Sequence, residues 1–134
     1  MTEVLQNPYF QLFLDVPARL VRLVRTAVPF PDIEAVRQQY TLVAETMDRL
    51  GRKHRHLFID LRQAPGRNDP EFEAVMEQRR PAMFAGYERV AICLLTKIGM
   101  LQVRRHVRMD GFDVLVSDDE SAILAYLATG QMLP

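Results

Sequence analysis

The 134-residue sequence predicts an α/β fold: one small domain with a four- to five-stranded, mostly parallel sheet, an N-terminal antiparallel hairpin and four helices. Two short apolar runs, Leu57 to Leu61 and Val90 to Leu95, carry few polar interruptions and read as central strands covered on both faces. Helical periodicity fills the segments between the predicted strands, an alternation that implies right-handed crossovers laying helices against a parallel sheet. With 49% of its residues hydrophobic, the chain suits one compact domain over residues 1–134, with 1–7 and 130–134 as loose termini.

The elements follow in order. Residues 8–16 place Phe10, Leu12, Leu14 and Val16 at alternate positions, a strand pattern interrupted by Phe13. A turn containing Pro17 follows, and Leu20 to Thr26 reads as a second strand, because Pro17, Pro29 and Pro31 leave too few residues for a stable helix. From Asp32 to Leu50 the residues Ile33, Val36, Tyr40, Val43, Met47 and Leu50 recur at helical spacing, and Gly51 marks the stop. The basic connector Arg52 to Arg55 then sets cations near the negative end of that helix dipole.

After strand 57–61, a helix is expected from Pro70 to about Gly86, with Phe72, Val75, Met76, Met83 and Phe84 inward and a break near Arg80 caused by Pro81. Lys97 to Asp110 forms the next helix, with Met100, Val103 and Val107 on its buried face, and Asp110-Gly111 returns the chain to a strand at Phe112 to Val116. Ser117, followed by Asp118, Asp119 and Glu120, reads as a capping box opening a last helix through Ile123, Leu124 and Leu127.

Charge and composition exclude several roles. Seventeen basic and seventeen acidic residues cancel, so no overall field holds a nucleic acid by counterion release. No apolar stretch approaches the roughly 20 residues that span a bilayer, and the N-terminus lacks a basic segment followed by a hydrophobic core. A cytoplasmic protein is the expectation. Cys93, the single cysteine, falls in the apolar run Val90 to Leu95 and reads as a small core hydrophobe. His54, His56 and His106 lack the spacing of metal ligands, and no cofactor motif is present.

The segment His56 to Glu73 is the most informative. It reads as a buried strand, a tight polar loop at Pro65-Gly66 and a capped helix start, the junction at which α/β sheets meet ligands or partners. By its element order, and by the strand and loop from Leu57 to Pro70, the chain resembles the STAS superfamily of sulphate transporters and anti-sigma-factor antagonists. The likeness is narrower to the stand-alone bacterial SpoIIAA-like proteins. In that family a serine or threonine opening the helix after this strand is phosphorylated by a partner kinase, which switches protein association. Here Arg67-Asn68-Asp69-Pro70 occupies the position, and Ser117 and Ser121 are the only serines. What the resemblance implies is therefore a signalling module that serine phosphorylation at this loop does not switch.

Candidate contact residues are Arg25, Arg62, Arg67, Asn68, Asp69 and Lys97, which with Thr96 sit at or past the predicted C-terminal ends of strands. Two readings stand for them: a pocket for an anion, or internal pairing of the arginines with Asp69, Glu71 and Glu73. Asp69 before Pro70 is the expected N-cap. Asp60 is expected to face arginine or backbone donors at the rim of the sheet. The aspartate of two-component receiver domains is a weaker comparison, since no adjacent acidic pair for Mg²⁺ precedes Asp118-Asp119. No nucleophile beside a base is recognisable. The leading expectation is a non-catalytic module that binds a protein partner through the loop from Arg62 to Asp69, with a homodimer open. The alternative is a domain that binds a small anion, a nucleotide or lipid headgroup, through Arg25, Arg62 and Lys97.

Overall fold

The computed structural model describes residues 1–132. Strands β1 (Thr2–Gln6), β2 (Phe10–Asp15) and β3 (Leu20–Arg25) form an antiparallel meander. Helix α1 (Ile33–Leu50), β4 (His56–Asp60), α2 (Pro70–Phe84), β5 (Arg89–Cys93), α3 (Lys97–Asp110) and β6 (Val114–Ser117) then alternate, and α4 (Glu120–Thr129) closes the domain. The strands lie side by side in chain order, and every pairing from β3 to β6 is parallel.

That order decides where the helices go. Crossovers of one hand, each advancing by one strand, lay α1, α2 and α3 on the same face. Their buried residues, including Val36, Val43, Met47, Val75, Met83 and Val107, meet Leu12, Leu23, Leu57, Ile59 and Ile92 of the sheet. Helix α4 covers the opposite face, where Ile123 and Leu127 pack on Leu20, Phe58, Ala91 and Cys93. Strand alternation thus splits β4 between two cores, and all five of its residues are buried.

Local chemistry fixes the ends. The Asp32 carboxylate accepts from Ala35 N at 2.8 Å to start α1, which stops at Gly51 with φ +88°, a conformation that favours glycine. The basic connector satisfies helix carbonyls: Arg55 donates to Leu50 O and Gly51 O, while Arg52 donates to Ala44 O of α1 and to Met83 O and Ala85 O of α2. A ring cluster of Phe10 and Tyr40, buried, with the partly exposed Tyr9 and Phe30, centroids 5.0–6.1 Å apart, closes the core beneath the loop that enters α1.

Four details differ from the sequence reading. Residues 2–6 are a paired edge strand rather than a loose terminus; a bulge between Glu3 and Leu5 puts Val4 out of register, which blurs the alternation by which a strand is recognised. Helix α2 runs unbroken through Pro81, because so near the C-terminus proline removes one amide donor while Met83 and Phe84 remain packed in the core. Strand β6 begins at Val114 rather than Phe112, whose ring instead stands edge-on to Phe84 at 5.2 Å. The cap of α4 is Asp119, accepting from Ala122 N, while Ser117 Oγ accepts from Asp119 N and shapes the turn before it.

His56 is 2% exposed, and neither ring nitrogen makes a hydrogen bond. Burial pushes its pKa down, Arg89 and Arg19 add to the shift, and Glu88, 3.9 Å away, opposes it. A histidine lowered in the fold stabilises the protein above its unfolded pKa of about 6.5 and loses that contribution as pH falls below it. Urea unfolding between about pH 7 and pH 5 is therefore expected to show stability declining with acid, and less steeply in His56→Leu. Equal slopes for the two proteins would remove His56 as a source of acid sensitivity.

Candidate functional site

The predicted contact residues do gather at the C-terminal edge of the sheet, but strand alternation sends them to different sides. Arg22 and Asp60 project to the α4 face, and Arg62, just past β4, folds back onto Asp60. Asp60 accepts from the Arg62 backbone N at 3.0 Å, from Arg62 Nε at 3.0 Å and Nη2 at 2.8 Å, and from Arg22 Nη2 at 3.4 Å. Glu120, at the start of α4, accepts from Arg22 at 2.8 Å and Arg62 at 2.7 Å. Two arginines and two carboxylates thus neutralise one another, and the Arg22 guanidinium also lies 4.4 Å above the Phe58 ring.

The other rim cations are also engaged within the chain. Arg67 Nε donates to Asp69 at 2.5 Å and its guanidinium lies over Phe72, while Asp69 caps α2 by accepting from Phe72 N. Lys97 Nζ reaches Asp118 at 2.9 Å, and Thr96 caps α3 by accepting from Gly99 N. Asn68 is exposed on the same loop. Arg62 pairs with Asp60 and Glu120 in place of the acids of α2. Arg25 points the other way, into the core under the three helices, and is 4% exposed.

On that second side lies a cavity of about 360 Å³. Leu23, Ile59 and Ile92 of the sheet form its floor, Phe72, Met76 and Met83 of α2 and Val103 and Val107 of α3 its walls, and Tyr40 and Phe30 one end. Its lip is the corner after β4, formed by Leu61, Ala64, Pro65, Gly66 and Arg67. The corner singled out from the sequence therefore borders a cavity, in addition to being exposed from Pro65 to Asn68.

Charged groups enter this apolar space from two directions. From the helices come Glu73, Arg80 and His106: Glu73 Oε2 lies 3.3 Å from His106 Nε2 and 3.7 Å from Arg80 Nη1, and Arg80 Nε donates to Asp110. From the sheet comes Arg25, whose guanidinium stands 4.0 Å over the Phe30 ring and whose Nη1 donates to Thr26 O at 2.9 Å and Tyr9 O at 3.3 Å. Glu73, expected to pair with the arginines of the loop, pairs instead with Arg80 and His106, and Arg80, His106 and Tyr40 are not among the candidate contact residues. A signal existed on α2, since Glu73 and Arg80 are seven residues apart and fall on one helical stripe with Met76 and Phe84.

Cys93 is buried beneath α4, and burial pushes its thiol pKa up, as for a packed core residue. Among the described residues no three His, Cys, Asp or Glu side chains converge as a metal site, and no helix is long and apolar enough to cross a membrane. No family model, curated protein or solved structure matches the chain.

Burial alone would raise the Asp60 carboxyl; hydrogen bonds from the Arg62 side chain and backbone, with the charges of Arg62 and Arg22, outweigh it and hold its pKa low. Glu120 is held low chiefly by its hydrogen bond from Arg22. Groups lowered in the fold contribute stability above their unfolded pKa values, about 4, and lose it as pH falls further. Asp60→Asn is expected to cost about 2–3 kcal/mol at neutral pH, because Asp60 is buried and four donors converge on it. Glu120→Gln, at a more exposed position, should cost about 1 kcal/mol or less. Chemical denaturation of the two variants checks the ranking, and equal costs would contradict it.

Proposed function

We propose that the protein is a non-catalytic, STAS-like regulatory module that binds a small organic ligand in the cavity under α2 and α3. The cavity carries the reading: it is concave, lined mainly by apolar side chains, entered by a few charged groups, and placed at the C-terminal edge of a parallel sheet. Its size is at the low end of the roughly 300–1,000 Å³ range of small-molecule sites. The STAS-like part rests on element order and on β4 running into a polar loop and a capped helix. Binding is favoured over reaction because Glu73, His106 and Arg80 are held against one another and against Asp110, a fixed frame around the apolar space.

Association with a protein partner through Arg62 to Asp69 is the second reading, and one observation favours it. Pro65, Gly66 and Arg67 are exposed and also form the lip of the cavity, so an occupant would touch the surface that a partner would read. The two readings are compatible in one molecule, with the ligand acting on the corner from beneath.

A neutral probe tests the cavity itself. Titration of the ¹⁵N-labelled protein with 1-octanol is expected to shift the amides of Ile59, Leu61, Phe72, Met76 and Val103 saturably, and Met76→Trp, which fills the space, should abolish the shifts. A folded wild-type protein showing no saturable shifts at these positions would overturn the binding reading.

A further inference from the structure

Resting on that reading, we infer that the ligand is an organic acid with one negative charge on an apolar body, and that Arg25 is the residue that receives the acid group. The basis is the pairing geometry around the cavity. Glu73 lies against Arg80 and His106, Arg80 is further paired with Asp110, and neither carboxylate reaches Arg25. Arg25 has no carboxylate partner among the described residues. Its contacts are two backbone carbonyls, both through Nη1, and the faces of Phe30, Phe10 and Tyr9.

Arg25 is 4% exposed, and an arginine so buried would ordinarily be paired, since removing a charge from water is costly unless a counterion replaces the lost hydration. Carbonyl dipoles and ring faces supply part of that replacement; a bound anion supplies the rest. Nε and Nη2 make no hydrogen bond within the protein, and they present the parallel pair of donors that suits a carboxylate. Burial lowers the pKa of Arg25 from its ordinary value, the direction expected of a cation without a counterion. Tyr40 lines the same end, and burial pushes its phenol up to about 12 against the opposing charges of Arg25 and Arg80. Its hydroxyl therefore keeps its proton at neutral pH and offers a further donor to an anion.

The surroundings select the kind of acid. A phosphate-rich ligand such as a nucleotide would seek the N-terminus of α2, but Asp69 caps that terminus and Glu71 and Glu73 occupy its first turn. Asp69 and Glu71 repel a polyanion at the start of α2, and Glu73, turned into the cavity, adds to the cost of a multiply charged ligand there. Leu23, Ile59, Met76, Ile92 and Val103 along the cavity suit a hydrocarbon body.

The test is calorimetric titration of the full chain at neutral pH with octanoate, 1-octanol, octylamine and inorganic phosphate. Octanoate is expected to bind one to one, at least about tenfold more tightly than 1-octanol. Octylamine should bind more weakly than 1-octanol, and phosphate should give no heat of binding. Arg25→Gln should reduce the preference for octanoate over 1-octanol from at least about tenfold to none. Should that variant fail to fold, the ranking of the four probes on the wild type decides alone. Equal affinity for the acid and the alcohol overturns the inference but leaves the cavity reading standing, as does tighter binding of phosphate than of octanoate. Absence of binding by all three eight-carbon probes overturns both.

Discussion

The Asp60 carboxylate fixes the corner that borders the cavity. It ends β4 on the α4 face, accepts both the backbone and the side chain of Arg62, and so sets the direction in which the chain leaves the sheet. Arg22 and Arg62 carry the same link to Glu120, tying β3, β4 and the first turn of α4 together. Because Leu61 N also donates to Cys93 O at 2.9 Å, the first residues of the corner are held from both sides. The root of the corner, Leu61 and Arg62, is thus anchored by polar contacts to Cys93 and Asp60.

Two faces of one sheet have consequently taken two electrostatic roles. Under α4 every charge at the strand ends has its partner, two arginines against two carboxylates, and the geometry is that of a clamp. Under the three helices the acids and bases of α2 and α3 hold the helices against each other: Arg80 reaches Asp110 across the interface and Glu73 faces His106. The inward stripe of α2 carries these polar groups beside Met76, Met83 and Phe84, so the cavity has both apolar and charged walls.

How much of this was legible follows from the range of the interactions concerned. Strands β4 and β5 and helices α1 and α3 were readable because apolar spacing and the glycines that end the helices, Gly51 and Gly111, act within a few residues; the N-caps Asp32 and Thr96 were not read as such. Strand β1 was hidden by its bulge, since the pairing with β2 that defines it cannot be seen in five residues. At the site, sequence position correctly placed Arg25, Arg62, Arg67 and Lys97 at one edge of the sheet. It did not separate them by face, although strand parity offered a means: Arg22 and Arg25 are three residues apart on β3 and must project to opposite sides. The pairing of Arg80 with Asp110, and of Glu73 with His106, depends on the docking of α2 against α3 and lies beyond local reading.

That separation by face also bears on how ligand and partner could be connected. The corner has one surface toward solvent and another toward the cavity, while its root is fixed by Asp60 and Cys93. Displacement of the corner by an occupant is therefore confined to the span from Ala64 to Asn68, between the anchored residues and the cap at Asp69. Arg67 is the residue in that span with most to transmit, since it lines the cavity, stacks on Phe72 and pairs with Asp69 at the surface. Movement of Phe72 would change the support of the Arg67 guanidinium and hence the charge presented outside. Such a route needs a shift of one side chain rather than of an element, within the small differential contact energies by which a ligand biases one surface state over another.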